Sequence, residues 1–255
     1  MYHRDNRAFY GNGRAVHVIP HANFYFPFEE NTGTISADWQ DFSTRTATLV
    51  GAITWVPGHK AGHYATSYGG TDKYGDYGHA DTLTNDWTIS FWVNMMYFQN
   101  ASQMVPSKGS WRALVGKWDL ATPNRCMLMA TVNSTTVNAL ADKFGILLSL
   151  PNGTQGYIGY YDSSVTAGVW YHLAATLKDG TLAYYVNGNA VGLTTVVAYG
   201  VVSTSLFAST APLTAGVYMN GATPSGSNYC KIDDIIIFNK ALTSTQIAEV
   251  YAGQA

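Results

Sequence analysis

The chain has 255 residues, of which 12% are charged and 14% aromatic, and a formal net charge of −2. That length fits one all-β unit that buries a core without staples. The aromatic content excludes a disordered chain, the charge balance excludes a nucleic-acid-binding face, and no run approaches the ~20 apolar residues of a membrane span.

In chain order, residues 1–22 come first as a separate arm. Arg4, Arg7 and Arg14 lie there with Asp5 as the only acid, so the arm either docks on an acidic partner or is a partly ordered leader. It contains no apolar signal core. The expectation is synthesis in the cytoplasm, unless a leader was removed before Met1, with action at a cell surface or in a virion.

Residues 23–255 read as one domain of short alternating strands. Thr88 to Val93 sets Ile89, Phe91 and Val93 on one face and Thr88, Ser90 and Trp92 on the other. Residues 145–150 lead into the turn Pro151-Asn152-Gly153-Thr154. The run from Trp170 to Leu177 groups Tyr171, Leu173, Ala175 and Leu177, and Asp179-Gly180 and Asn187-Gly188 then mark tight hairpins. Residues 189–229, rich in Ser, Thr, Ala and Gly, read as edge strands and long loops. One helix closes the chain: Thr243 caps it, Gln246 completes a capping box, and Leu242 with Ile247 forms a hydrophobic staple. The fold class is all-β, a two-sheet antiparallel sandwich with one short C-terminal helix. Cys126 and Cys230 match no zinc spacing and read as buried thiols, with their pairing open.

Three segments carry a family pattern: FPFEENTG with GGTDKYGDYGHADTLTNDWTISFWVN, WYHLAATLKDGTLAYYVNGNAVG, and KIDDIIIFNKALTSTQIAEVYAG. Together they resemble the laminin-G-like, concanavalin A-like jelly-roll family over residues 24–253, although Tyr171 stands where the family's hairpin has a second histidine. The resemblance implies a jelly roll, with Trp87, Trp92 and Trp170 as core. It also implies a structural Ca2+ held near one edge by carboxylates and loop carbonyls. Alternation along IDDIIIF points one of Asp233 and Asp234 inward, and a buried carboxylate there needs a cation or backbone N–H partners. Glu29 and Asp233 are the candidate metal ligands.

Carbohydrate sites combine flat aromatics with short polar groups. The Gly-rich stretch 61–79 reads as loop and supplies His63, Tyr68, Tyr74, Tyr77 and His79 as candidate ligand contacts, with Trp111 near another turn. Catalysis is not expected. The fold's hydrolases place paired carboxylates on one strand as E-x-D-x-x-E, and here Glu29, Glu30 and Glu249 are the only glutamates. A lyase using Tyr and His stays compatible with the sequence. The leading reading is a non-catalytic recognition or display module for cell-surface or matrix polysaccharide. The alternative is a virion structural protein, a capsid decoration or tail-fibre adhesin, that assembles as a homo-oligomer or with other virion proteins through the arm.

Overall fold

The computed structural model describes residues 7–9, 15–17, 22–38, 46–70, 72–78, 83, 85–97, 110–121, 123–133, 143–198 and 202–254. Two sheets stack face to face as a jelly-roll sandwich, with the core between them. The eight-stranded sheet runs in the order Asn189–Val191, Thr181–Val186, Trp170–Lys178, Trp87–Met95, Cys230–Phe238, Tyr64–Tyr68, Thr54–Pro57. Strand Cys230–Phe238 has a divided neighbour on its far side. Residues 230–232 pair with Tyr64–Tyr68, whereas residues 235–237 pair with Phe24–Phe26.

The eleven-stranded sheet runs Thr194–Ala198, Gln155–Tyr160, Lys143–Ser149, Asn124–Asn133, Ser110–Asp119, Leu213–Ala215, Tyr74–Asp76, Thr46–Val50, Ile35–Ala37. A short pair, Tyr218–Asn220 and Thr223–Ser225, branches from Ser110–Asp119. Within the arm, Arg7–Phe9 pairs antiparallel with Ala15–His17 as a separate hairpin. The segment expected to hold only edges and loops also supplies an interior strand, because Leu213–Ala215 bonds on one side to Val115–Lys117 and on the other to Gly75 and Asp76.

Alternation explains the layers. Trp87, Ile89, Phe91, Val93 and Met95 enter the inter-sheet core, joined by Leu173, Ala175 and Leu177 from the neighbouring strand. The opposite face of this sheet carries Ala174, Tyr185, Ile236 and Phe238, and it is covered by Ile247 of the helix Ser244–Gln254 together with Leu242 just before that helix. Asp179-Gly180 and Asn187-Gly188 all have positive φ, between 48° and 76°, as a tight primed turn requires. Cys126 and Cys230 are separate buried thiols, and burial pushes the Cys126 thiol up to about 12. Among the described residues no helix is long and apolar enough to cross a membrane.

The capping box forms as the sequence suggests. Thr243 N donates to Gln246 Oε1 at 3.0 Å, and Gln246 N donates to Thr243 Oγ1 at 3.3 Å. Thr243→Ala removes one of these reciprocal bonds and is expected to cost about 1 kcal/mol in urea unfolding, with the Tm falling by about 2–4 °C.

Candidate functional site

A β-bulge builds a buried polar cluster. In Cys230–Phe238, Asp233 stands opposite Trp92 and Ile236 opposite Ser90, so Asp234 and Ile235 together face Phe91. Asp234 takes φ +51° to make this possible. Ile232 and Ile235 therefore both enter the core, and both aspartates are turned to the other side. This corrects the expected one-in, one-out alternation: the extra residue cancels the change of face. The bulge lies where the neighbouring strand changes from Tyr64–Tyr68 to Phe24–Phe26, so a gap in the sheet edge opens beside the carboxylates.

The turn after Thr54–Pro57 brings a histidine to them. Gly58 N donates to His63 O at 2.9 Å, closing the turn. A Cβ on Gly58 would sit 2.5 Å from Asp233 Oδ2, so this close approach needs glycine. His59 then meets both acids. Its backbone N donates to Asp233 Oδ2 at 3.1 Å, and its Nδ1 lies 2.8 Å from the same oxygen. Nε2 lies 3.8 Å from Asp234 Oδ2. The His59 side chain is 3% exposed and that of Asp233 1%. Asp233 Oδ1 is buried with no hydrogen-bond partner, and Tyr25 Oη donates to Asp234 Oδ1 at 2.7 Å.

Beside this cluster, His63 Nδ1 lies 2.5 Å from Glu29 Oε1, with the His63 side chain 42% exposed. Glu29 is delivered by a tight turn in which Phe28 and Asn31 adopt positive φ, and Phe28 is fully buried, with its ring edge-on to Tyr77. Three buried carboxylates thus share one region. Burial pushes the Asp233 carboxyl well above its usual range, and burial together with the Asp233 charge holds Asp234 up at about 8. The hydrogen bond to Glu29 raises the His63 imidazole despite partial desolvation.

Aromatic rings roof the cluster. His59 stacks on Trp92 at 4.3 Å and 9°, with Trp170 edge-on to His59. Tyr251 from the helix stacks on Trp92, and the His172 ring meets both. His172 Nε2 is 2.7 Å from Ser90 Oγ, and its Nδ1 has no hydrogen-bond partner. Burial, and secondarily His59, pushes the His172 imidazole down to about 3. Of the three tryptophans expected in the core, Trp87 lies there. Trp92 and Trp170 instead face away from it, because they occupy the alternate positions of their strands.

The aromatic stretch 61–79 also needs correction. It is not one loop but two strands in different sheets, Tyr64–Tyr68 and Tyr74–Asp76. Tyr68 and Tyr77 are core side chains rather than ligand platforms, with their hydroxyls 3.2 Å apart. The glycines make room for these rings, since a Cβ on Gly75 would strike Tyr77 and one on Gly216 would strike the Tyr68 ring. Tyr74 is half-buried at a strand start. His63 keeps a solvent-facing side, and His79 lies outside the described residues. Trp111 is partly buried against a cluster on the outer face of the larger sheet, so it does not join the others. Glu29 and Asp233 do come to the same region.

An aromatic pair, one ring exposed and one partly buried, escaped sequence reasoning. Tyr97 is 44% exposed, and its ring lies 4.6 Å from that of Tyr229 with a tilt of 31°. Met96 N donates to Tyr229 O at 3.0 Å, which fixes the two strand ends together. Gly69 lies under Tyr229, where a Cβ would meet the ring at 2.9 Å. Tyr97 packs tilted against the partly buried Tyr229 and so presents an exposed aromatic ring at the rim of the sandwich. A single tyrosine at each of two distant positions gave no local pattern to read.

A family model described as the concanavalin A-like lectin/glucanases superfamily matches residues 69–248. Among solved structures, the binding domain of Paraclostridial mosquitocidal protein 1 is similar with a TM-score of 0.65 at 12% identity, covering 92% of this chain and 52% of that one. Domain 4 of AbnA, an extracellular arabinanase from Geobacillus stearothermophilus solved with arabinotriose, gives 0.57 at 17% identity over 90% and 98%. The ligand-binding domain of botulinum neurotoxin serotype D, solved with N-acetylneuraminic acid, gives 0.62 at 12% over 92% and 51%. The chain thus spans about half of the two toxin domains and nearly all of the arabinanase domain. No curated protein sequence matches it.

Proposed function

This chain belongs to the concanavalin A-like lectin/glucanases superfamily, and we propose from that premise that it is a non-catalytic recognition module for a cell-surface or matrix polysaccharide. The observation that carries the reading is the exposed Tyr97 ring, held tilted against the partly buried Tyr229 at the sandwich rim. Sugar rings offer apolar C–H faces that stack on such surfaces, and loops and strand ends on a rigid scaffold are where binding residues concentrate. Arabinotriose and N-acetylneuraminic acid in the similar structures support a carbohydrate ligand.

The acids argue in the same direction. Asp233 and Asp234 are buried against His59, and Glu29 is held by His63, so among these groups none is an open carboxylate pair flanking a cleft. A glycan array probed with the intact chain tests the reading. Against the best-bound polysaccharide, Tyr97→Ala or Tyr229→Ala is expected to weaken binding by about tenfold, the loss of roughly 1.4 kcal/mol of stacking. Unchanged affinity in both variants would remove this pair from the binding site.

A further inference from the structure

We propose, resting on the recognition reading above, that the outer face of the smaller sheet beside Tyr97 and Tyr229 binds an anionic sugar through Lys231, so that the ligand is an acidic polysaccharide. Strand register assembles this face from five strands. Trp170 stands opposite Asn94, Asn94 opposite Lys231, Lys231 opposite Ser67, and Ser67 opposite Thr54. Directly paired residues share a face, and neighbouring strands lie about 4.8 Å apart, so the row crosses about 19 Å of sheet. It points away from the core. Cys230 and Ile232 on either side of Lys231 enter the core, as do Val93 and Met95 on either side of Asn94.

The row is continuous with the tyrosine pair. Tyr229 stands two residues before Lys231, and its ring lies over Gly69. Met96 joins this spot to the row: its Cε would lie 3.9 Å from a Cβ on Gly69, and Ser67 Oγ donates to its Sδ at 3.6 Å. The apolar patch under the helix, with Ile236 and Phe238, lies farther along the same strand. Trp170, Lys231 and Ser67 are half-buried, and Thr54 is exposed.

Charge assigns the ligand class. Lys231 forms no ion pair with any described residue. Asp233, two residues along the strand, is already engaged by the backbone N and Nδ1 of His59. An ammonium without a counter-charge, fixed on a rigid sheet, favours an anion. Around it the row supplies the other elements of a sugar site, an indole at one end and hydroxyls at the other. The Ser67 hydroxyl donates to a thioether, a weak acceptor, so a sugar hydroxyl is the better partner.

The test titrates the full chain with three matched pairs: polygalacturonate and its neutral methyl ester, dextran sulfate and dextran, and sialylated glycans with their desialylated forms. The acidic member of at least one pair is expected to bind about tenfold more tightly than its neutral counterpart, less so as salt rises. The pair that responds distinguishes carboxylate from sulfate. Lys231→Gln is expected to remove about tenfold in affinity for that acidic glycan, and Lys231→Arg to retain most of it. Thr54→Glu, at the exposed end of the row, is expected to weaken the same binding by repulsion. The salt dependence and the paired comparison need no variant to fold. Equal affinity within every pair, binding confined to neutral glycans, or acidic binding unmoved by Lys231→Gln would overturn the proposal while leaving a recognition module. Binding to none of the six, nor to any glycan on an array, would instead reject the recognition reading and this proposal with it.

Discussion

Trp92→Ala is expected to lower stability by about 4 kcal/mol, among the larger effects open to one substitution here. Trp92 is buried on the outer face of the smaller sheet, where His59, His172 and Tyr251 all pack on it. Its removal leaves a cavity beneath the helix and frees His59 from the ring that holds it over the acids. Trp92 Nε1 has no hydrogen-bond partner, so Trp92→Phe loses no polar contact and is expected to recover more than half of the loss. Urea unfolding measures both variants. Hydrogen exchange in residues 244–254 should rise most in the alanine variant, since Tyr251 stacks directly on the missing ring. A loss below about 1 kcal/mol would mean that the helix is held elsewhere.

The second large effect is acid destabilisation through His172. Burial pushes its imidazole down to about 3 in the folded chain, against the ordinary value of 6.5. Because the folded pKa is the lower one, the unfolded chain takes up the proton first as the pH falls. Stability from this group is complete above pH 6.5 and declines as the pH drops from there toward 3. At about 1.4 kcal/mol per pKa unit, the loss is on the order of 3 kcal/mol by pH 4. The cause is local: Ser90 meets one ring nitrogen, Nδ1 has no partner, and the surrounding rings offer no counter-charge. His172→Gln is expected to be less stable at pH 7 but to show a shallower decline between pH 6.5 and 4. An unchanged slope would assign the acid sensitivity to other groups.

The sandwich was legible because its strands alternate and its turns are chemically specific. Thr88 to Val93 reads directly as two faces, and Asn187-Gly188 admits few conformations other than the positive φ it adopts. The C-terminal cap was equally plain, since its bonds join Thr243 and Gln246, which stand only three residues apart. The candidate site was harder for a physical reason. Period-2 reasoning assumes an unbroken ladder, and the bulge at Asp234 cancels the reversal that separates Asp233 from Asp234. His59 was missed although GHKAGH places two histidines on one turn, because only the fold shows that Gly58 lies against Asp233. Tyr68 and Tyr77 misled in the opposite way: the glycines around them suggested a loop, when one of these, Gly75, makes room for both buried rings.

Binding without turnover is the most direct test of the account. The intact chain is titrated calorimetrically with a panel of arabinans, sialylated glycans and other surface polysaccharides, and the same mixtures are assayed for new reducing ends and unsaturated products. Saturable binding of at least one polysaccharide, lost when Tyr97 and Tyr229 are both alanine and accompanied by no product, is the predicted result. Product formation, or failure to bind any member of the panel, would contradict it.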